Sequence, residues 1–116
     1  ALDIARQDGY RKFFVVLTRE KGYRKSPVRF KQSIKAYYRK YPKVARAMLH
    51  RHVIYNKTLA ELEDLERKGQ AFLVYPETMP VSNREVNFEK LSQSYQLGYA
   101  QGKRDVPQWK RFLGML

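Results

Sequence analysis

Cysteine is absent from this sequence of 116 residues, and histidine is nearly absent. Without cysteine the chain can form no disulfide, no thiolate metal site and no cysteine nucleophile. The two histidines, His50 and His52, are two positions apart. On a helix they would point about 200° apart, so they cannot bind one metal ion together. We therefore expect neither a metal ion nor another cofactor.

Long hydrophobic runs are also missing. No apolar run approaches the roughly 20 residues that a helix needs to span a bilayer. The composition is nevertheless that of a globular protein, with 43% hydrophobic and 30% charged residues. A chain of this length predicts a single domain with a core of its own.

Acidic residues are scarce, particularly between residues 19 and 51. The whole chain has 24 lysines and arginines against 11 aspartates and glutamates, a net charge of +13. In the segment 19–51 twelve cations face one carboxylate, Glu20, which leaves a net charge of +11. This asymmetry predicts a surface that meets an anionic partner, such as phospholipid headgroups or nucleic acid.

Hydrophobic periodicity and turn residues predict a mostly helical α/β chain. Two short parallel strands are joined by a crossover of two helices, the second of which begins near Pro42 and ends before Gly69. A helix that starts behind Asn87 should stop at Gly102, and a short terminal helix should start at Asp105-Val106-Pro107. The predicted helices cover residues 2–7, 28–40 with Ser26 as N-cap, and 43–68; the predicted strands cover 13–18 and 72–75.

The order of several motifs resembles the C-terminal region of the bacterial patatin-like phospholipases. These motifs are Tyr41-Pro42, the stretch Arg51-His52-Val53-Ile54-Tyr55-Asn56, the helix ending Leu62-Glu63-Asp64-Leu65-Glu66-Arg67-Lys68-Gly69, and the strand that follows. Residues 2–19 are similar to the last helix and strand of the family's catalytic core. The resemblance implies a division into residues 1–25, the end of that core, and residues 26–116, a helical region with one added strand.

The resemblance also implies that the catalytic Ser–Asp dyad lies upstream of Ala1. None of the five serines lies in a Gly-x-Ser-x-Gly elbow. The one Asp-Gly pair, Asp8-Gly9, stands where a helix should stop, so Gly9 is interpreted as a C-cap. We therefore expect no catalytic, cofactor-binding or metal-binding residue in this chain. Glu61, Glu63, Asp64 and Glu66 are interpreted as a solvated helix face, with Glu63–Arg67 and Asp64–Lys68 as ion pairs.

The expected function is that of a structural part of a lipid acyl hydrolase that acts on lipid esters. The protein is expected in the cytoplasm, at the periphery of a membrane, and the chain is expected to form a dimer. His52 should be half-buried with one hydrogen-bond partner, and Tyr55-Asn56 should be a packing and hydrogen-bonding pair. The alternative is a stand-alone basic module that binds nucleic acid through cations interleaved with tyrosines. The residues expected to contact an anionic surface are Arg24, Lys25, Lys31, Lys35, Arg39, Lys43 and Arg46.

The missing dyad leads to a direct prediction. The chain alone should not hydrolyse short acyl esters above the buffer rate, because it has neither the elbow serine nor the dyad aspartate. A colorimetric ester assay checks this. Turnover that copurifies with the chain and is abolished by a serine-directed phosphonate would contradict it.

Overall fold

The computed structural model describes residues 1–115, which form four helices and two strands and are 56% helical. The chain is a mixed α/β protein with two parallel strands, as the sequence predicts. The elements in chain order are helix α1 (Leu2–Gln7), strand β1 (Phe13–Val16), helix α2 (Lys31–Tyr37), helix α3 (Pro42–Arg67), strand β2 (Ala71–Val74) and helix α4 (Phe88–Phe112).

The two strands pair in parallel, with α2 and α3 in the connection between them. Phe13 lies opposite Ala71, and its N–H donates to the carbonyl of Gln70 at 2.9 Å. At the other end of the ladder the N–H of Leu17 donates to the carbonyl of Val74 at 2.8 Å. The predicted arrangement of two parallel strands and a two-helix crossover is therefore confirmed.

One face of this sheet packs on α3. Side chains alternate between the two faces of a strand, so the odd-numbered residues of both strands point the same way. They meet Leu62 and Leu65, which are buried on α3. The cluster consists of Leu62, Leu65, Ala71 and Leu73, with Leu2, Phe13, Val15, Leu17 and Tyr75 packed around it.

The opposite face packs on the last turns of α4 through aromatic rings. Phe14 and Phe72 stack on neighbouring strands, with ring centroids 5.7 Å apart. Trp109 meets Phe14 edge-on at 5.6 Å, and Phe112 lies 5.4 Å from Phe72. Aromatic pairs at such distances contribute about 0.5–1.5 kcal/mol each beyond their buried area. The sheet is thus the middle layer between α3 and α4.

The ends of α3 explain how the second strand is placed. Tyr41, the residue before the helix, has the non-helical angles φ −132° and ψ 68°, and Pro42 occupies the first turn, where its missing N–H costs nothing. After the helix Gly69 adopts φ +73°, and the N–H of Gln70 donates to the carbonyl of Leu65 at 2.9 Å. This is the Schellman ending, in which glycine takes the left-handed position. The carbonyl of Gln70 also accepts a hydrogen bond from the N–H of Phe13 in β1. The end of the helix therefore sets the register of the sheet.

The other boundaries lie close to the predictions. α1 has its predicted limits, whereas β1 ends at Val16 instead of Thr18, and β2 covers 71–74 instead of 72–75. Asn87 is the N-cap of α4, since its side chain accepts from the N–H of Lys90 at 3.1 Å. Burial is incomplete along β1, because Val16 is 64% exposed.

The predicted start of α2 is wrong. Ser26 does not cap a helix, residues 23–28 have no regular secondary structure, and α2 begins only after Phe30. The segment before α2 is held against α3, where the Asn56 side chain bonds both the N–H and the carbonyl of Lys25. The backbone groups of Lys25 are therefore satisfied by a distant side chain and not by local secondary structure.

The predicted break at Gly102 and the separate helix from Asp105 are wrong as well. α4 runs through both positions and contains Pro107. The ring of Trp109 packs over Gly102, where a Cβ atom would lie 3.6 Å from it. A proline inside a helix costs about 3 kcal/mol or more. The contacts of Trp109 and Phe112 with the sheet offset that cost, because they require the helix to continue.

The described chain is extended for its mass. Its surface of 9577 Å² exceeds the about 6,700 Å² expected of a folded monomer of 13.9 kDa. Its radius of gyration of 17.6 Å exceeds the about 13 Å expected for this length. Several large apolar side chains are more than half exposed, among them Ile4, Tyr10, Val16 and Ile54. The fold therefore leaves apolar surface that another molecule could cover.

Part of that surface lies along the free edge of β1. Within residues 1–115 this strand pairs with β2 alone, so Phe14 and Val16 direct their backbone N–H and carbonyl groups outward. A groove of about 520 Å³ follows this edge between α1, β1 and α3. Unpaired strand edges beside apolar surface recruit a further strand.

We predict that the chain forms a two-fold dimer through this edge. Light scattering at micromolar concentration should report about twice 13.9 kDa. Val16→Lys should shift the mass towards the monomer, because a charged edge side chain opposes strand pairing. Val86→Lys is the matched control, since Val86 is 89% exposed and lies outside the strands. A monomer at every concentration, or equal behaviour of the two variants, would contradict the prediction.

Candidate anion-binding surface

The basic residues fold into one region made of α2 and the first half of α3. Residues 21–60 contain no aspartate or glutamate. α2 and the first half of α3 therefore present cations with no acidic neighbour in sequence. The two helices contact each other in the described chain, so their charges are added to the same surface.

A groove of about 520 Å³ lies between these helices. Lys35 reaches it from α2, Arg39 from the link between the helices, and Arg46 from α3. Ala45, only 5% exposed, forms part of its floor. The remaining lining residues are Tyr38, Pro42, Leu49 and His50.

The start of α3 adds to the positive potential at the groove. Pro42, its first residue, lines the groove. The N-cap Tyr41 forms no side-chain capping bond, and the first turn contains no acidic residue. The partial positive charge of this helix end is therefore not offset by a side chain.

Exposed aromatic side chains accompany the cations. Phe30 is 70% exposed, Tyr37 is 82% exposed and Tyr41 is 65% exposed. Tyr37 packs edge-on against Tyr38 at 4.8 Å, so the rings support one another outside the core. Large aromatic side chains beside lysines are typical of helices that lie at a lipid interface.

Five of the seven predicted contact residues lie on this region. Lys35, Arg39 and Arg46 share the groove. Lys31, in the first turn of α2, and Lys43, in the first turn of α3, lie outside its lining and are exposed. None of the five forms an ion pair within residues 1–115.

The other two predicted residues, Arg24 and Lys25, hold the chain against α3. One Arg24 nitrogen lies 2.9 and 3.0 Å from the two carboxylate oxygens of Glu63. The N–H of Lys25 donates to Asn56 Oδ1 at 2.6 Å, and Asn56 Nδ2 donates back to the Lys25 carbonyl at 2.9 Å. Tyr55 packs edge-on against Tyr23 at 6.1 Å. The interpretation of Tyr55-Asn56 as a packing and hydrogen-bonding pair is confirmed.

The acidic second half of α3 is only partly the solvated face that the sequence predicts. Glu61 pairs with Arg6 at 3.3 Å, and Glu63 pairs with Arg24 instead of the predicted Arg67. These carboxylates connect α3 to the N-terminal part of the chain. Arginines from that part are thereby neutralised, whereas the cations of α2 and the first half of α3 are not.

The pair Asp64–Lys68 is confirmed, with 3.0 Å between its charged atoms. Arg67 also bonds Asp64, at 3.1 Å. Hydrogen bonds from Lys68 and then Arg67 lower the pKa of Asp64 below its usual value. This cluster is an exposed structural feature at the helix end.

The histidines have different surroundings. His50 is exposed and lines the groove, where an imidazole can donate hydrogen bonds. His52 is half-buried as predicted, but its buried Nδ1 has no hydrogen-bond partner among residues 1–115. The prediction of a partner is wrong for that atom. In the same residues no three histidine, cysteine or acidic side chains gather into a potential metal site.

Sequence reasoning missed a second cavity, of about 230 Å³, at the carboxyl ends of β1 and β2. The Gln101 amide donates to the Tyr75 carbonyl at 2.6 Å beside it. The signal for this cavity was the parallel pairing itself, because ligands of α/β sheets bind beyond the carboxyl ends of the strands. Its polar lining includes Thr18, Thr78, Ser94 and Gln101.

The model of one protein family, described as domain of unknown function (DUF6363), matches residues 41–114. The match covers more than half of the chain and contains α3, β2 and α4. The chain belongs to the DUF6363 family. The DUF6363 region begins at Tyr41, so it includes the start of α3 but not α2. No curated protein and no solved structure matches the chain.

Within residues 1–115, no helix combines the length and the apolar character that crossing a bilayer requires. The long helices α3 and α4 both carry many charged side chains.

The Asn56 bonds yield a stability prediction. Asn56→Ala removes two partly buried hydrogen bonds and should lower the free energy of unfolding by about 1–3 kcal/mol. Lys57→Ala is the control, because Lys57 is exposed and its ammonium lies 4.0 Å from Glu61. Urea unfolding measures both variants. Equal stability of the two would argue against Asn56 as the residue that fixes the basic segment.

Proposed function

We propose that this chain is the C-terminal region of a patatin-like lipid acyl hydrolase and that its basic surface holds the enzyme against an anionic lipid surface. The motif order between Tyr41 and Gly69 supports the first part. The second part depends on one observation: an acid-free segment folds into an exposed surface of cations and aromatic rings.

The chemistry of the proposed enzyme takes place outside this chain. In a Ser–Asp dyad the aspartate takes the proton of the serine hydroxyl, and the serine attacks the ester carbonyl. The alcohol leaves with that proton, and water then releases the fatty acid from the acyl-enzyme. Residues 1–25 would complete the catalytic core, and residues 26–116 would add the lipid-facing part. The free edge of β1 is consistent with a strand that belongs to a larger sheet.

The magnitude of the electrostatic attraction supports membrane contact. Each lysine or arginine near an anionic leaflet contributes about 1 kcal/mol. Lys31, Lys35, Arg39, Lys43 and Arg46 together would supply about 5 kcal/mol. The exposed rings of Phe30 and Tyr37 can enter the headgroup layer. Such binding is reversible and suits a peripheral enzyme that meets its substrate in a bilayer.

Vesicle binding tests this function. The full chain should cosediment with phosphatidylglycerol vesicles far more than with phosphatidylcholine vesicles, and the difference should diminish as salt shortens the Debye length below about 8 Å. Replacing Lys31, Lys35 and Arg39 together by Gln should weaken binding about 100-fold, since three charges of about 1 kcal/mol each are lost.

The control replaces Arg84, Lys103 and Lys110 by Gln, which lowers the net charge equally at exposed positions outside α2 and α3. It should retain most of the binding. Equal loss of vesicle binding in the two triple variants would mean that binding depends on the net charge of the protein and not on the basic surface. Equal binding to neutral and anionic vesicles would refute the proposal, and preference for single-stranded nucleic acid over vesicles would favour the alternative.

A further inference from the structure

We propose that the groove between α2 and α3 is a site for one phosphomonoester group. This inference rests on the proposed function and refines it, because it distinguishes a specific headgroup from a generally anionic surface. The shared ligand chemistry is a terminal phosphate, carried either by a lipid or by a small soluble molecule.

Cations from different parts of the chain converge on the groove. Three cations reach one cavity of about 520 Å³ from three different parts of the chain, the helix α2, the link and the helix α3. Small-molecule sites commonly occupy about 300–1,000 Å³ and contain a few polar groups that converge. Along a single helix such cations would form a stripe, whereas here they surround a concave volume.

The positive charge of the groove is not balanced by carboxylates of the described chain. Lys35, Arg39 and Arg46 have no ion-pair partner within residues 1–115, and residues 21–60 contain no carboxylate. A phosphomonoester carries about −1.5 to −2 charges at neutral pH. A phosphodiester carries a single charge. The monoester therefore offsets more of the positive potential in the groove.

The hydrogen-bond donors at the groove have a geometry that suits a phosphate group. The guanidinium groups of Arg39 and Arg46 are planar forks that match phosphate oxygens in pairs. Lys35 adds a compact charge, and Tyr38 and His50 supply a hydroxyl and an imidazole at the same cavity. A terminal phosphate has three free oxygens for these donors, whereas a diester has two. The groove is thus better matched to the monoester in both charge and number of acceptors.

Two single substitutions distinguish binding in the groove from binding to the rest of the basic surface. Arg46 lines the groove, whereas Lys31 is exposed on α2 outside it. Arg46→Gln and Lys31→Gln each remove one positive charge from the same region. Both residues are exposed, so both variants should fold, and circular dichroism with thermal unfolding verifies this.

The closing experiment has a soluble arm and a vesicle arm, both with the full chain. In the soluble arm inorganic phosphate and dihexanoyl phosphatidic acid are titrated by amide NMR, with dihexanoyl phosphatidylglycerol for comparison. Inorganic phosphate and the phosphatidic acid should both shift the amides around Arg39 and Arg46, and the diester should bind at least about fivefold more weakly. Shifts with phosphatidic acid but not with inorganic phosphate would assign the site to the lipid headgroup.

In the vesicle arm, phosphatidic acid and phosphatidylglycerol are compared at equal surface charge. The native chain should prefer phosphatidic acid about fivefold or more. Arg46→Gln should weaken binding to both lipids and lose that preference, whereas Lys31→Gln should weaken both and keep the ratio. Equal binding of the two lipids, or an unchanged ratio in Arg46→Gln, would overturn the phosphate site and leave the proposed membrane function standing. Absence of binding to either vesicle would refute the membrane function. The soluble arm alone would then decide whether the groove binds phosphate.

Discussion

The parallel ladder between β1 and β2 is the constraint on which the rest of the structure depends. Its register places Phe13 opposite Ala71, and the alternation of side chains then sends one set to α3 and the other to α4. The Schellman ending at Gly69 determines this register, because the carbonyl of Gln70 accepts from β1. The strands, the crossover helices and α4 are therefore positioned from one helix end.

The sequence predicted elements whose limits are local and missed those that depend on distant contacts. Pro42 and Gly69 bound α3 through their own backbone preferences, so its ends were predictable. The start of α2 was not, and the segment before it is held by a contact that no local pattern reveals, the bonds of Asn56 to the backbone of Lys25 about thirty positions away. In α4 the packing of Trp109 outweighs its breaker residues. Five of the seven predicted surface residues lie together, but only the folded chain reveals a groove among them.

The two halves of the helix α3 carry opposite charges. Its second half carries the carboxylates, which pair with Arg6 and Arg24 and hold the N-terminal part of the chain in place. Its first half carries cations without carboxylate neighbours and faces α2. The acidic half thus serves the fold, and the basic half remains available to an external anion.

Hydrogen–deuterium exchange on anionic vesicles tests most directly the claim that this basic half is the contact surface. With phosphatidylglycerol vesicles, the amides of residues 31–50 should exchange more slowly than without them. The exchange of the amides of residues 71–112, which contain β2 and α4, should be unchanged. Protection centred on α4, or protection spread evenly over the chain, would contradict the account.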